Sequence, residues 1–138
     1  SKFVTSEFYG KELFTVAEKV LISPVKKKLY IERKDLKDEF LKAGISALSE
    51  YSMLSPSKIE TYATMQFYGN SYEFMTDIDK EIQLEIWHYD SKLFGMKGKI
   101  DALSLYLSLK DNADERIQIS LTEMMEEFWR KKYDKRLT

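Results

Sequence analysis

Apolar and polar residues recur with two different periods along this chain, and the change of period divides it into elements. Near the N-terminus, Phe8, Leu13, Val16 and Val20 track a helical face behind the start signal Thr5-Ser6-Glu7, and Pro24 ends it. Over 25–33, Leu29 and Ile31 stand among Lys and Glu, the pattern of a short edge strand guarded by Lys26, Lys27 and Lys28. Asp35 then predicts the cap of a second helix. Leu36, Phe40, Leu41, Ile45, Leu48 and Tyr51 give it three-to-four spacing over 36–54, and Ser55-Pro56-Ser57 closes it. From Ile59 the period falls toward two. Ile59–Phe67 reads as a strand, Gly69-Asn70 as a turn, and Tyr72–Thr76 as the returning arm of a hairpin. After the turn Asp77-Ile78-Asp79-Lys80 comes the clearest strand, Glu81–Tyr89, where Ile82, Leu84 and Ile86 alternate with Glu81, Gln83 and Glu85. Gly95 and Gly98 bracket a loop, and Ile100-Asp101 enters a short apolar helix, Ala102–Leu109. Asp114-Glu115 opens a last helix that buries Ile117, Leu121, Met124 and Phe128, with Glu126–Arg130 and Glu127–Lys131 as i,i+4 pairs. The predicted class is α+β: a small, mostly antiparallel sheet of about four strands packed on one face by about four helices.

Composition narrows the chemistry. The chain has 138 residues, long enough for one domain, 1–138, with a real core. With 43% hydrophobic residues and a net charge of −1 it lies outside the disordered class. It has no cysteine, which excludes disulfides, thiolate metal sites and cysteine nucleophiles, and one histidine, which excludes a two-His metal site. No run approaches the ~18 apolar residues of a membrane span, and no signal peptide is visible. The expectation is a soluble, cytoplasmic domain with no cofactor and no membrane partner. The chain opens on Ser1 rather than Met, which fits either a tag remnant or a fragment of a longer protein.

Four constellations bear on function. His88 falls on the Ile82, Leu84 and Ile86 side of its strand, as a half-buried, hydrogen-bonded residue; strand alternation keeps it from Glu85, which argues against an acid–base pair. Asp77, Asp79, Glu81 and Glu85 put acids near a strand, as a PD-(D/E)xK-like metal-dependent nuclease requires. The lysine of that motif is missing, since Ile86 and Trp87 follow Glu85, and the strand acids read as a solvated face. Two basic groups, Lys26, Lys27, Lys28 with Arg33-Lys34, and Arg130, Lys131, Lys132 with Lys135 and Arg136, form a candidate patch for nucleic acid or a partner; the second also suits a helix C-terminus. Trp87, Trp129 and Tyr133 are candidate interface aromatics. The six Met and eight Phe residues leave open a ligand-sensing domain with an apolar pocket.

Two stretches together resemble a known family. The first is Ala43-Gly44-Ile45-Ser46-Ala47-Leu48-Ser49-Glu50-Tyr51-Ser52-Met53-Leu54. The second is Lys99-Ile100-Asp101-Ala102-Leu103-Ser104-Leu105-Tyr106-Leu107, followed by Asp114-Glu115-Arg116-Ile117. Over about 25–130 in outline, the order of these stretches resembles the C-terminal domain of AbiEi-type proteins, the antitoxin and transcriptional-regulator partners of type IV abortive-infection systems. The resemblance implies a non-enzymatic domain that neutralises a nucleotidyltransferase-type toxin, and a longer protein whose N-terminal winged helix binds promoter DNA. It transfers no catalytic residue. Independently of any family, Gly44, Ser46 and Ala47 are small enough to let a helix pack closely on a sheet.

Overall fold

A computed structural model describes Phe14 and residues 21–137, with side chains to Lys132. The predicted helix over 8–20 therefore lies outside the described residues, apart from Phe14, which is helical and packs on the core. Four strands, β1 (Val25–Glu32), β2 (Leu41–Lys42), β3 (Thr61–Thr64) and β4 (Glu81–Trp87), form one sheet in the order β1-β4-β3-β2. Among the described residues beyond Phe14, three α-helices follow as α1 (Gly44–Tyr51), α2 (Ala102–Leu109) and α3 (Glu115–Leu137). The class is α+β, and the sheet is mixed: β1 pairs antiparallel with β4, β2 antiparallel with β3, and β3 parallel with β4.

The parallel pair corrects the expected hairpin. Tyr72 does not return beside β3 but makes a single antiparallel bridge to Tyr30, on the outer side of β1. The helix expected over 36–54 is also shorter. Arg33–Asp35 is one 3-10 turn, Leu41–Lys42 is strand, and only Gly44–Tyr51 is α-helical. The apolar residues of 36–41 are divided between two cores, which a single helical face could not achieve. Phe40 packs below the sheet, while Leu41 packs above it.

Strand β4 explains the layering, because both of its faces are buried. Ile82, Leu84 and Ile86 join Ile31 and Phe40, with Leu29, Leu36, Tyr62 and Phe67 around them. Among the described residues, loop segments and not α-helices cover this face. On the opposite face Trp87, Ala63 and Leu41 meet the helices through Ala47, Leu48, Leu105, Leu109, Ile117 and Leu121. Leu48, Leu105 and Leu121 have no exposed surface, and truncation of any one to Ala would cost about 2–5 kcal/mol.

Helix starts follow local chemistry. Asp101 caps α2, its Oδ2 accepting the Ser104 N–H at 2.8 Å. Asp114 caps α3, its Oδ1 accepting the Arg116 N–H at 2.9 Å. The Arg116 guanidinium beside it holds the Asp114 carboxyl below the usual range. At α1 no side chain caps the helix. Instead the backbone is tied to β3: Ala43 N–H donates to the Thr61 carbonyl at 2.9 Å, and Thr61 N–H donates to Ser46 Oγ at 3.0 Å. That approach uses Gly44 at φ +54°, in the left-handed region that favours glycine, with Thr61 directly against it.

Candidate interaction surface

The structure divides the candidate basic patch by role. Lys26, Lys27 and Lys28 are exposed on β1, and none forms a salt bridge among the described residues. Arg33 is engaged: its Nη1 lies 2.9 Å from Glu60 Oε2, which also accepts the Tyr62 hydroxyl at 2.9 Å. The Arg33 hydrogen bond keeps the Glu60 carboxyl below its ordinary range. Arg130 and Lys131 both pair with Glu127 on their own helix, so the expected Glu126–Arg130 pair is replaced by Glu127–Arg130. Lys132 Nζ stands over the rings of Phe128 and Trp129, at 5.4 and 5.8 Å. Such a cation–π stack holds the amine along its own helix. β1 packs on β4, whereas α3 packs on α2 and α1, so no principal packing contact joins the two basic groups. Tyr133, Lys135 and Arg136 lie in α3, and their side chains fall outside the described residues.

The aromatic candidates separate in the same way. Trp87 is 1% exposed, so it is a core residue of this chain and not an interface residue. Strand alternation does set Trp87 on the face opposite Ile82, Leu84 and Ile86, and the helices cover that face. Its ring meets Tyr89 edge-on at 5.6 Å, and its indole N–H donates to Glu85 Oε1 at 3.1 Å. Trp129 is half-buried, against Phe128 at 5.0 Å and Phe14 at 6.3 Å.

The acids near β4 do not converge. Glu81 accepts the Thr76 N–H at 2.8 Å, the Asp77 N–H at 3.2 Å and the Thr76 hydroxyl at 2.9 Å. The two backbone donors lower its pKa. Asp77 Oδ1 accepts the Asp79 N–H at 3.0 Å. Glu85 is 2% exposed beneath α1 and not on a solvated face. Burial raises its pKa, against the smaller opposing effects of the Trp87 N–H and the Lys28 charge. These side chains close a turn and fill a core. Among the described residues, no group of three or more His, Asp or Glu is placed to hold a metal ion. His88 is exposed rather than half-buried, and its N–H donates to the Pro24 carbonyl at 2.8 Å.

An open groove of about 560 Å³ lies between the N-terminal half of α3 and the segment after α1. Ile45, Leu54, Pro56 and Ile117 line it, and Glu123 sits on its rim. At its lips Met53 is 98% exposed and Ile119 53% exposed. Methionine adapts its shape to a partner, and exposed apolar side chains beside a groove mark contact surfaces. Phe74, Phe94, Met65 and Met96 lie on the surface, and no phenylalanine lines this groove.

The small-residue motif is a close-packing device, as its composition predicts, and its partners are set by tertiary structure. Ser46 as an acceptor for β3 depends on which strand comes to lie beside α1, whereas Glu85 and Trp87 stand two residues apart on one face of β4. A cue for the second did exist: a tryptophan ending an alternating strand points to a covered second face. Among the described residues, no helix is long and apolar enough to cross a membrane. No protein-family model matches the chain, and neither a curated protein nor a solved structure matches it.

Proposed function

We propose that this chain is the partner-binding domain of an antitoxin-type regulator, acting in the cytoplasm by binding and neutralising a nucleotidyltransferase-type toxin. The observation that supports this reading is the groove beside the Gly44–Leu48 segment. The segment that resembles the antitoxin family docks α1 on β3. The chain leaving α1 then frames, with α3, an open surface lipped by Met53 and Ile119. Both lip residues are exposed, so replacing them tests binding without disturbing the core. In the full protein, promoter DNA would be contacted by a winged helix N-terminal to this domain.

The test is toxin neutralisation. A nucleotidyltransferase-type toxin, sought among the genes flanking this one, is expressed alone, with the protein, and with a Met53→Glu/Ile119→Glu variant. Rescue of growth by the parent, with loss of co-purification for the variant, is the expected result. No rescue, and no complex on size-exclusion chromatography, would overturn the proposal.

A further inference from the structure

We propose that the outer edge of β1 is a seat for an extended, acidic segment of a partner protein, which adds to the sheet as a short fifth strand. This inference names a surface and a partner chemistry within the partner-binding reading above, and it rests on that reading for the partner's identity.

The fifth-strand position is already marked. Tyr30 N–H donates to the Tyr72 carbonyl, and Tyr72 N–H to the Tyr30 carbonyl, each at 2.8 Å. One residue of this chain therefore occupies the place beside Tyr30. The chain then turns back, so that the Thr76 and Asp77 N–H groups reach Glu81. In an antiparallel ladder, residues that face outward alternate with residues that face the neighbouring strand. Lys28, two residues from Tyr30, thus presents its N–H and C=O on the same outer side. Among the described residues, no backbone group outside the sheet meets them. The seat continues from Tyr72 toward Lys28, and the register shift between Val25 and Lys27 ends the regular edge. Main-chain hydrogen bonds along such an edge supply affinity, and side chains supply selectivity.

Charge selects the occupant. Lys26, Lys27 and Lys28 are exposed and carry no salt bridge among the described residues. Lys28 lies opposite Glu85 and Lys27 opposite Ile86, so the two amines flank the edge from opposite faces of the sheet. An extended peptide, whose side chains also alternate between faces, meets both amines. A phosphate backbone, approaching one surface, meets one. A second copy of this chain would set lysine against lysine across the new pair, which is unfavourable. The lysines that keep β1 from pairing with itself therefore admit an acidic strand.

The probe is a synthetic peptide of about ten residues, the length of a long strand, with Glu and Val in alternation. Three controls accompany it: the same peptide with Lys for Glu, a backbone N-methylated acidic peptide, and a duplex DNA oligonucleotide. Each is titrated into the ¹⁵N-labelled chain at low salt. Expected are shifts at Lys27 and Lys28 with the acidic peptide only, and slowed exchange of the Lys28 amide. Lys27→Glu/Lys28→Glu should weaken binding by at least about tenfold, and Lys27→Gln/Lys28→Gln by less, with unchanged circular dichroism. Equal binding of the N-methylated peptide would reduce the effect to charge alone and overturn strand addition. Tighter DNA binding at the same amides would assign the edge to nucleic acid. No Lys28 protection at millimolar acidic peptide would also overturn the proposal. The toxin assay stands apart from these outcomes. Peptide docking without neutralisation removes the toxin and leaves the seat; neutralisation without docking does the reverse.

Discussion

Gly44→Ala tests whether the small-residue motif works as the structure places it. Gly44 has φ +54°, and a Cβ built there would lie 3.3 Å from Thr61 Cγ2 and 3.6 Å from Glu85 Oε2. An L-residue in the left-handed region costs about 1–2 kcal/mol. Insertion into a closed space adds about 1 kcal/mol. Against these, alanine stiffens the unfolded chain and returns about 0.4–1 kcal/mol. The balance is a loss of about 2 kcal/mol, or about 6 °C in Tm for a chain of this size. Gly98→Ala is the matched control. Gly98 has φ +71° but nothing within 4 Å of a built Cβ, so it carries the backbone cost without crowding and should lose about 1 kcal/mol or less. Urea denaturation of both variants, and of Gly44→Ala/Thr61→Ser, which removes the crowding methyl, gives the comparison. The double variant should recover part of the loss. A Gly44→Ala protein as stable as its parent, or less perturbed than Gly98→Ala, would refute the close approach of α1 to β3.

Four further outcomes follow from the core and the caps. The Glu85 pKa is raised by burial, so its contribution to stability is fully present below the ordinary carboxylate range and is lost as pH rises through the raised value. Glu85→Gln should therefore gain on the parent as pH rises from about 4 to 8; a stability gap that does not change with pH in urea titrations would contradict this. Trp87→Phe leaves Glu85 Oε1 without its indole donor and should cost about 1–3 kcal/mol. In the parent, Trp87 emission should resist acrylamide while Trp129 is quenched, as read from Trp129→Phe and Trp87→Phe proteins. Asp101→Ala removes the cap on Ser104 N–H and should lower stability by about 1 kcal/mol, with Asp101→Asn closer to the parent; equal losses for the two would remove the cap as the cause.

The elements most legible in the sequence were those whose signals are local. The alternation of Ile82, Leu84 and Ile86 gave β4, and the Asp101 and Asp114 caps gave the starts of α2 and α3. The segment 36–54 misled, because its helical spacing arises from residues that serve two cores on opposite sides of the sheet. The acidic face of β4 misled for a related reason. Glu81, Gln83 and Glu85 read as solvated, yet each has a hydrogen-bond partner within the folded chain, near in sequence for Glu81 and Glu85 and distant for Gln83. Glu81 binds the 76–77 turn, Gln83 binds Thr61 and Tyr30, and Glu85 binds Trp87. The candidate surface was legible only in part. The Lys26–Lys28 row and its edge-strand setting could be read from the sequence, but the groove at Met53 and Ile119 arises from a loop meeting a helix some sixty residues later.

The place of β4 in the sheet also sets an order of events for the growing chain. The strand is the last of the four to be synthesised, yet it lies between β1 and β3. Until Trp87 has left the ribosome, β1 has no partner within the sheet, and the β2–β3 pair has one open side. The sheet therefore closes by insertion, over sequence separations that reach from Glu81–Trp87 back to Val25–Glu32, and non-local pairing of this kind is slow. A nascent chain halted before Glu81 exposes two apolar strand edges at once, so it should be a chaperone client and prone to aggregate. Complete chains escape that state by a single insertion step that joins both halves.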